Sequence, residues 1–180
     1  MKNKKNLIRL VVSLFLILSI TLNIFLFRQN LAFQAQQGSY YIRTVNNSLF
    51  DLETSPDDWV SESAEGSFPH AFSLHQGKLQ SQSVDYDFMN GKVSVIGNQF
   101  TVLSRQYAQL EKQVSEDGSI SAETLNECIA NYEFLREALM LIDDSLDEEP
   151  VSWYQELSDP GSALSEDIWS LYKDYEERLK

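Results

Sequence analysis

An uncharged apolar run near the amino terminus constrains this chain more than any other feature of its sequence. From Leu10 to Phe27 there are 18 residues without a charge, and they follow a basic tip with four Lys or Arg side chains in residues 1–9. A helix needs roughly 20 mainly apolar residues to cross about 30 Å of hydrocarbon, and Leu7 and Ile8 extend the run to that length. The sequence therefore predicts an N-terminal transmembrane helix.

The charges on either side of this run set its expected orientation. The basic tip precedes it, whereas Arg28 stands alone after it until Arg43. Because basic residues stay preferentially on the cytoplasmic side, we expect residues 1–9 to be cytoplasmic, residues 10–27 to be the membrane anchor, and residues 28–180 to be extracytoplasmic.

A cleaved signal peptide is the alternative explanation of the same pattern. Against cleavage, the apolar core is longer than the usual roughly 7 to 15 residues, and no small-x-small site follows it. Phe33 stands two positions before Ala35, and Asn30 stands two positions before Ala32. A retained single-pass signal anchor is the favoured prediction, and cleavage stays open.

The charge of residues 28–180 excludes one class of partner. This part of the chain contains all 27 acidic residues and 10 of the 14 basic ones, which gives it a net charge of −17. Such a surface repels nucleic acid phosphates and anionic head groups. We therefore expect no nucleic acid partner, and instead a protein partner in the same membrane or envelope. Homo-oligomerisation stays open.

Apolar residues at alternating spacings of three and four predict helices after the anchor. The first such stripe runs from Leu31 to Leu52, so the membrane helix is expected to continue to about Glu53. A second stripe runs from Tyr86 to Val114 without a miss and predicts one long helix. A third runs from Leu125 to Leu146, and a last helix is expected over about residues 162–178.

Residues 54–81 are predicted to form an irregular connection. Ser55 and Pro56 are typical of a helix start, so a short helix through Trp59 is expected there. A break or kink is expected near residues 76–83, with a small hairpin around Gln76 and Gly77 as an outside alternative. The predicted fold class is all-α: an N-terminal transmembrane helix that continues into an extracytoplasmic antiparallel four-helix bundle, a coiled-coil-like arrangement that buries four striped faces.

No motif for catalysis or cofactor binding is present. His70 and His75 are five residues apart, which on a helix points them away from each other. Cys128, the single cysteine, has no partner for an internal disulfide and lies on an apolar stripe, so a buried thiol is expected. Nucleophile motifs and glycine-rich phosphate loops are missing. We expect no enzymatic activity and no cofactor.

One acidic cluster is unusual, because carboxylates at the end of a helix oppose its macrodipole. The cluster gives the weak Ca²⁺ candidates Asp143, Asp144, Asp147, Glu148 and Glu149. A solvated acidic loop is the alternative. A second acidic segment, residues 85–91, approaches the start of an EF-hand but lacks the ligand spacing of that motif.

Two functional hypotheses follow. The first is a membrane-tethered, non-enzymatic helical interaction or accessory protein of a bacterial-type cell envelope. The second is an extracytoplasmic ligand-sensing four-helix bundle that acts through a partner protein. In architecture alone the predicted bundle is similar to the sensory ectodomains of bacterial chemoreceptors and related kinases.

Overall fold

The computed structural model describes residues 2–58 and 68–180, with the side chains of residues 2–9, 68–74 and 117 left out of the description. Within this part of the chain the secondary structure is entirely helical. Apart from the helical residues 56–58, the described residues form six α-helices: α1 (Lys2–Asp51), α2 (Phe68–Asp85), α3 (Val95–Asp117), α4 (Ala122–Ser145), α5 (Pro150–Ser158) and α6 (Ala163–Arg178). A four-helix bundle is therefore not confirmed, whereas the all-α class is.

Helix α1 is a single uninterrupted helix of 50 residues. It contains an 18-residue window with a mean hydropathy of 2.6, none of it buried, and is long and apolar enough to span a membrane. The predicted continuation of the apolar segment to about Glu53 is confirmed, since the helix ends at Asp51. Val45 and Leu52 of the first stripe are buried, whereas Leu31 is 44% exposed.

The second stripe is buried as expected but is not one helix. A 3₁₀ turn at Tyr86–Phe88 ends α2, and α3 begins only at Val95. The non-helical segment before α3 contains Asn90 and Gly91, a dipeptide typical of turns. The prediction of one helix from Tyr86 to Val114 is wrong. A break near residues 76–83 and the hairpin alternative are wrong as well, because Gly77 lies inside α2, whereas a kink at those residues stays a prediction.

The predicted end of α3, start of α6 and helical start near Pro56 are confirmed, whereas residues 68–81 of the predicted irregular connection 54–81 belong to α2. Gly118 ends α3 in the left-handed conformation with φ of 67°, which glycine adopts without strain. Ser162 caps α6 by accepting a hydrogen bond from the Ser165 amide. Ser55 accepts from the Asp58 amide at 3.2 Å, so the expected helical start at Pro56 is present. Its predicted continuation to Trp59 lies outside the described residues.

Helix α5 is the element that the sequence patterns miss. Nine residues are too few for a repeating stripe, but Pro150 in its first turn and the buried Trp153 and Leu157, one turn apart, fix it. It packs mainly against α1, while α2 packs mainly against α3. The 3₁₀ turn packs on α3 through Tyr86 and Phe100, whose rings stack at 5.7 Å between centroids.

Candidate functional site

Helices α1 and α5 approach each other closely at Gly38. A Cβ atom at Gly38 would lie 1.6 Å from the carbonyl oxygen of Pro150, so only glycine fits there. On either side of this point the rings of Phe33 and Tyr41 contact Tyr154, with centroid distances of 5.8 and 6.4 Å. Helix α5 is thereby held against the part of α1 that directly follows the apolar segment.

A buried polar network joins α1 to α2 on another side. The Tyr86 hydroxyl donates to Ser48 Oγ at 3.0 Å, and Ser48 Oγ donates to Gln82 Oε1 at 3.1 Å. The amide nitrogen of Gln82 donates to Asp51 at 2.8 Å, and Lys78 Nζ lies 3.6 Å from the same carboxylate. Buried and fully paired polar groups fix one arrangement of two helices, because a shift would leave them unpaired. The end of α1 is therefore locked to α2.

Beside these contacts lies the largest groove described, with a cavity volume of about 710 Å³. It runs along α1 and reaches the 3₁₀ turn after α2. Its lining residues are Gln36, Gln37, Ser39, Tyr40, Arg43 and Phe88. We call it the α1 groove. Phe88 is 68% exposed and contributes a large apolar ring to the groove, which is a candidate contact surface.

Arg43 and Tyr40 give the α1 groove its electrostatic character. The Arg43 guanidinium carbon lies 5.6 Å from the centroid of the Tyr40 ring, a cation–π arrangement. The Tyr40 hydroxyl donates to Asp85 at 2.6 Å. Burial and this carboxylate raise the pKa of Tyr40, so it stays a neutral donor. The groove can thus bind through hydrogen bonds, one positive charge and an apolar ring.

No match to a known protein directs this interpretation. No family model, curated protein or solved structure matches the chain.

The predicted Ca²⁺ candidates are distributed over two elements. Asp143 and Asp144 lie in the last turn of α4, whereas Asp147, Glu148 and Glu149 lie in the connection to α5. Across the described ranges, no three His, Cys, Asp or Glu side chains are grouped so as to hold a metal ion. The Ca²⁺ hypothesis therefore has only its sequence argument.

The structure supplies a different reason for the acidic cluster. Its last three residues directly precede α5, whose amino terminus carries positive partial charge and favours nearby carboxylates. Asp147 accepts a hydrogen bond from the Glu149 amide at 3.0 Å through its side chain, and from Trp153 Nε1 at 2.6 Å through its backbone carbonyl. The connection thus stabilises the amino terminus of α5.

The cysteine and the two histidines, which are the remaining side chains considered for chemistry, are either buried or outside the described side chains. Cys128 is fully buried, and burial raises the pKa of its thiol to about 12, as the prediction of a buried thiol requires. His75 is buried against the Tyr107 ring, and burial lowers the pKa of its imidazole. The side chain of His70 lies outside the description.

The sequence did not predict that Asn90 joins three parts of the fold by hydrogen bonds. The side-chain amide of this residue donates to the Leu157 carbonyl at 2.9 Å and to Ser165 Oγ at 2.8 Å. Its Oδ1 accepts from the backbone amides of Lys92 and Val93. Asn90 therefore fixes the turn before α3 to both α5 and α6. The Asn-Gly pair signals the turn, but nothing in the sequence indicates these distant partners.

Proposed function

We propose that this protein is a membrane-tethered, non-enzymatic interaction or accessory protein of a bacterial-type cell envelope. In this proposal residues 1–9 are cytoplasmic, residues 10–27 cross the membrane, and residues 28–180 form an extracytoplasmic domain. The observation that carries it is the continuity of α1, a single helix from the apolar segment into the packed domain.

Because α1 is continuous, it is a rigid connection between the apolar segment and the packed domain, and not a flexible linker. The domain is fixed to α1 by the packing at Gly38 and by the polar network at Ser48, so its position relative to the anchor is set. Confinement to one membrane raises the effective concentration of partners in that membrane, which suits a binder with a modest contact surface. An accessory subunit gains most from this arrangement.

The α1 groove is the surface proposed to meet the partner. At about 1.5 Å per residue, Arg43 lies about 24 Å along the helix from Phe27, within reach of a protein in the same bilayer. Arg43 is also the only Lys or Arg between Arg28 and Lys78, in a part of the chain whose net charge is negative. A partner segment that presents an acidic side chain beside an apolar one would complement Arg43 and Phe88.

The sensor hypothesis gains no specific support from the described residues. It requires a ring-lined cavity within the helices, whereas the large core rings pack on each other, as Phe134 does on Tyr175 with centroids 4.9 Å apart. The two other grooves described, of about 480 and 550 Å³, are each lined by a single aromatic side chain. The sensor function stays a prediction.

Site-specific photo-crosslinking of the full chain in native membranes tests the proposal. A photoreactive residue at Ser39, in the α1 groove, should give an adduct with another envelope protein. Ser115 is the matched control, an exposed helical serine that, like Ser39, donates to a preceding carbonyl at 2.9 Å. Equal adducts from the two positions, or none from Ser39, would contradict the proposal.

Charge reversal at single positions distinguishes a local effect at the α1 groove from an effect of the net charge of the domain. Arg43→Glu should abolish most of the Ser39 adduct, because it places a negative charge where the partner is expected to present one. Arg105→Glu makes the same change in charge on an exposed position of α3 and should leave the adduct intact. If both substitutions have the same effect, the groove is not the contact surface.

A further inference from the structure

The apolar segment contains one carboxamide side chain, Asn23, which is unfavourable on a helix face that contacts lipid. Asn23 is the only carboxamide or charged residue between Leu10 and Phe27. It lies four positions before Phe27, which places it about 6 Å inside the outer end of the segment. The Thr21 hydroxyl satisfies itself by donating to the Ile17 carbonyl at 2.9 Å. By contrast, the Asn23 amide has no hydrogen-bond partner among the described residues.

Such a group is costly in hydrocarbon, where no water can satisfy it. The Asn side chain is too short to reach head groups from this depth, unlike the long side chains of Lys and Arg. Polar residues at such positions usually hydrogen-bond across to another membrane helix. Asn23 therefore indicates a partner within the bilayer.

The helical repeat shows which side of α1 this residue occupies. Tyr41 follows Asn23 by 18 residues, which is about five full turns, so the two lie on one line along the helix. Gln34 is about 20° from the same line. Both contact α5: Gln155 Nε2 donates to Gln34 Oε1 at 3.4 Å, and Tyr41 packs on Tyr154. The Asn23 face thus enters the apolar segment directly beneath α5.

We propose that the Asn23 face docks a transmembrane helix of a different membrane protein, which presents a hydrogen-bonding side chain at the same depth. This inference rests on the proposed function, because it requires that residues 10–27 cross the membrane. To the proposed function it adds the class of partner, a transmembrane helix, and the position where that helix binds, the Asn23 face. The partner helix must end or turn near the membrane surface, since α5 overhangs the face from Phe33 onward.

A second copy of this chain does not fit that position. Two copies facing each other through Asn23 would be related by a two-fold axis, with packed helices about 8–10 Å apart. The α5 helix of each copy would then occupy the same space a few turns higher, because a helix is itself about 10 Å wide. Two domains of net charge −17 would also be brought together.

Photo-crosslinking inside the membrane tests this inference on the full chain. Photoreactive residues are placed at Leu16 and Phe27, within about 40° of Asn23, and at Leu14 and Phe25 on the opposite side. We expect adducts with a different protein from the first pair. Any adduct from the second pair, which lies in line with Arg43 and the α1 groove, should not change when Asn23 is substituted. Asn23→Leu should lower the yield about three- to thirty-fold, and Asn23→Gln, which keeps the carboxamide, should retain it. Asn23→Leu makes the segment more apolar, so failure to insert cannot explain a loss.

The outcomes separate the two proposals. An adduct of the chain with itself would replace the different protein by a second copy and overturn the inference. Absence of adducts from Leu16 and Phe27, with the Ser39 adduct present, would overturn it and leave the proposed function standing. If labelling of residues 1–9 and 28–180 places both on one side of the membrane, the proposed function fails together with it.

Discussion

Substitution of Gly38 tests the packing of α5 on α1 most directly. In Gly38→Ala the new Cβ would lie 1.6 Å from the Pro150 carbonyl oxygen and 2.5 Å from its carbon, where ordinary contact begins at 3.4 Å. The obstructing atoms belong to the backbone, so no side-chain rotation relieves the clash. Helix α5 must move by about 1.8 Å, which disturbs the buried Trp153 and Leu157.

The expected magnitude follows from two opposing terms. Overpacking a core typically costs about 1–3 kcal/mol, and a backbone clash belongs at the upper end. Replacing glycine by alanine within a helix returns about 1 kcal/mol. The net loss in the free energy of unfolding is therefore about 2 kcal/mol. For a domain of this size that lowers Tm by about 4–8 °C.

Thermal unfolding of the full chain in detergent micelles, followed by near-UV circular dichroism, measures this change. Gly77→Ala is the matched control: it is the same substitution within α2, where a new Cβ meets nothing within 4 Å. The control should raise Tm by about 2–4 °C, corresponding to about 1 kcal/mol. If Gly38→Ala also raises Tm, the close approach of α5 is not present and the reasoning fails.

Three further predictions concern single side chains. Asn90→Ala should lower the free energy of unfolding by about 3 kcal/mol in urea titrations, because it unpairs buried groups, whereas the exposed Asn98→Ala should change it little. Burial lowers the pKa of His75 below 6.5, so its contribution to stability is complete above that pH and is lost as pH falls through the lower folded pKa. The drop in Tm between pH 7 and pH 5 should shrink in His75→Phe, and an unchanged drop would exclude this group as its source. Cys128, with a buried thiol of pKa about 12, should react with maleimide only after denaturation, and labelling of the native chain would contradict its burial.

Burial was more predictable from this sequence than chain direction. Every member of the stripe from Tyr86 to Leu110 is buried, yet the chain changes course at Asn90 in the middle of it. Spacings of three and four report which residues face inward, and a turn that preserves the inward face leaves that pattern intact. The hydrogen bonds that stabilise the turn come from residues 157 and 165, far away in sequence.

The candidate surfaces were predictable only in part. The apolar run indicates the long helix, but the α1 groove depends on Phe88, which follows α2, lying beside Tyr40 and Arg43 of α1. Local composition carries no signal for such a juxtaposition. Likewise, the acidic residues after α4 look anomalous until α5 is known to start beside them. Short helices like α5 fall below the length at which periodicity is informative.

The unbroken course of α1 fixes both the distance and the rotation of the packed domain relative to the apolar segment. If the helix stays intact, one residue inserted between Arg28 and Ala32 would raise the α1 groove by about 1.5 Å and turn it by about 100° relative to Asn23. Seven inserted residues would raise it by about 10 Å and turn it by only about 20°. A partner that contacts both surfaces would bind less well after either insertion. Comparison of the two insertions would show whether binding depends more on the distance between the surfaces or on their relative rotation.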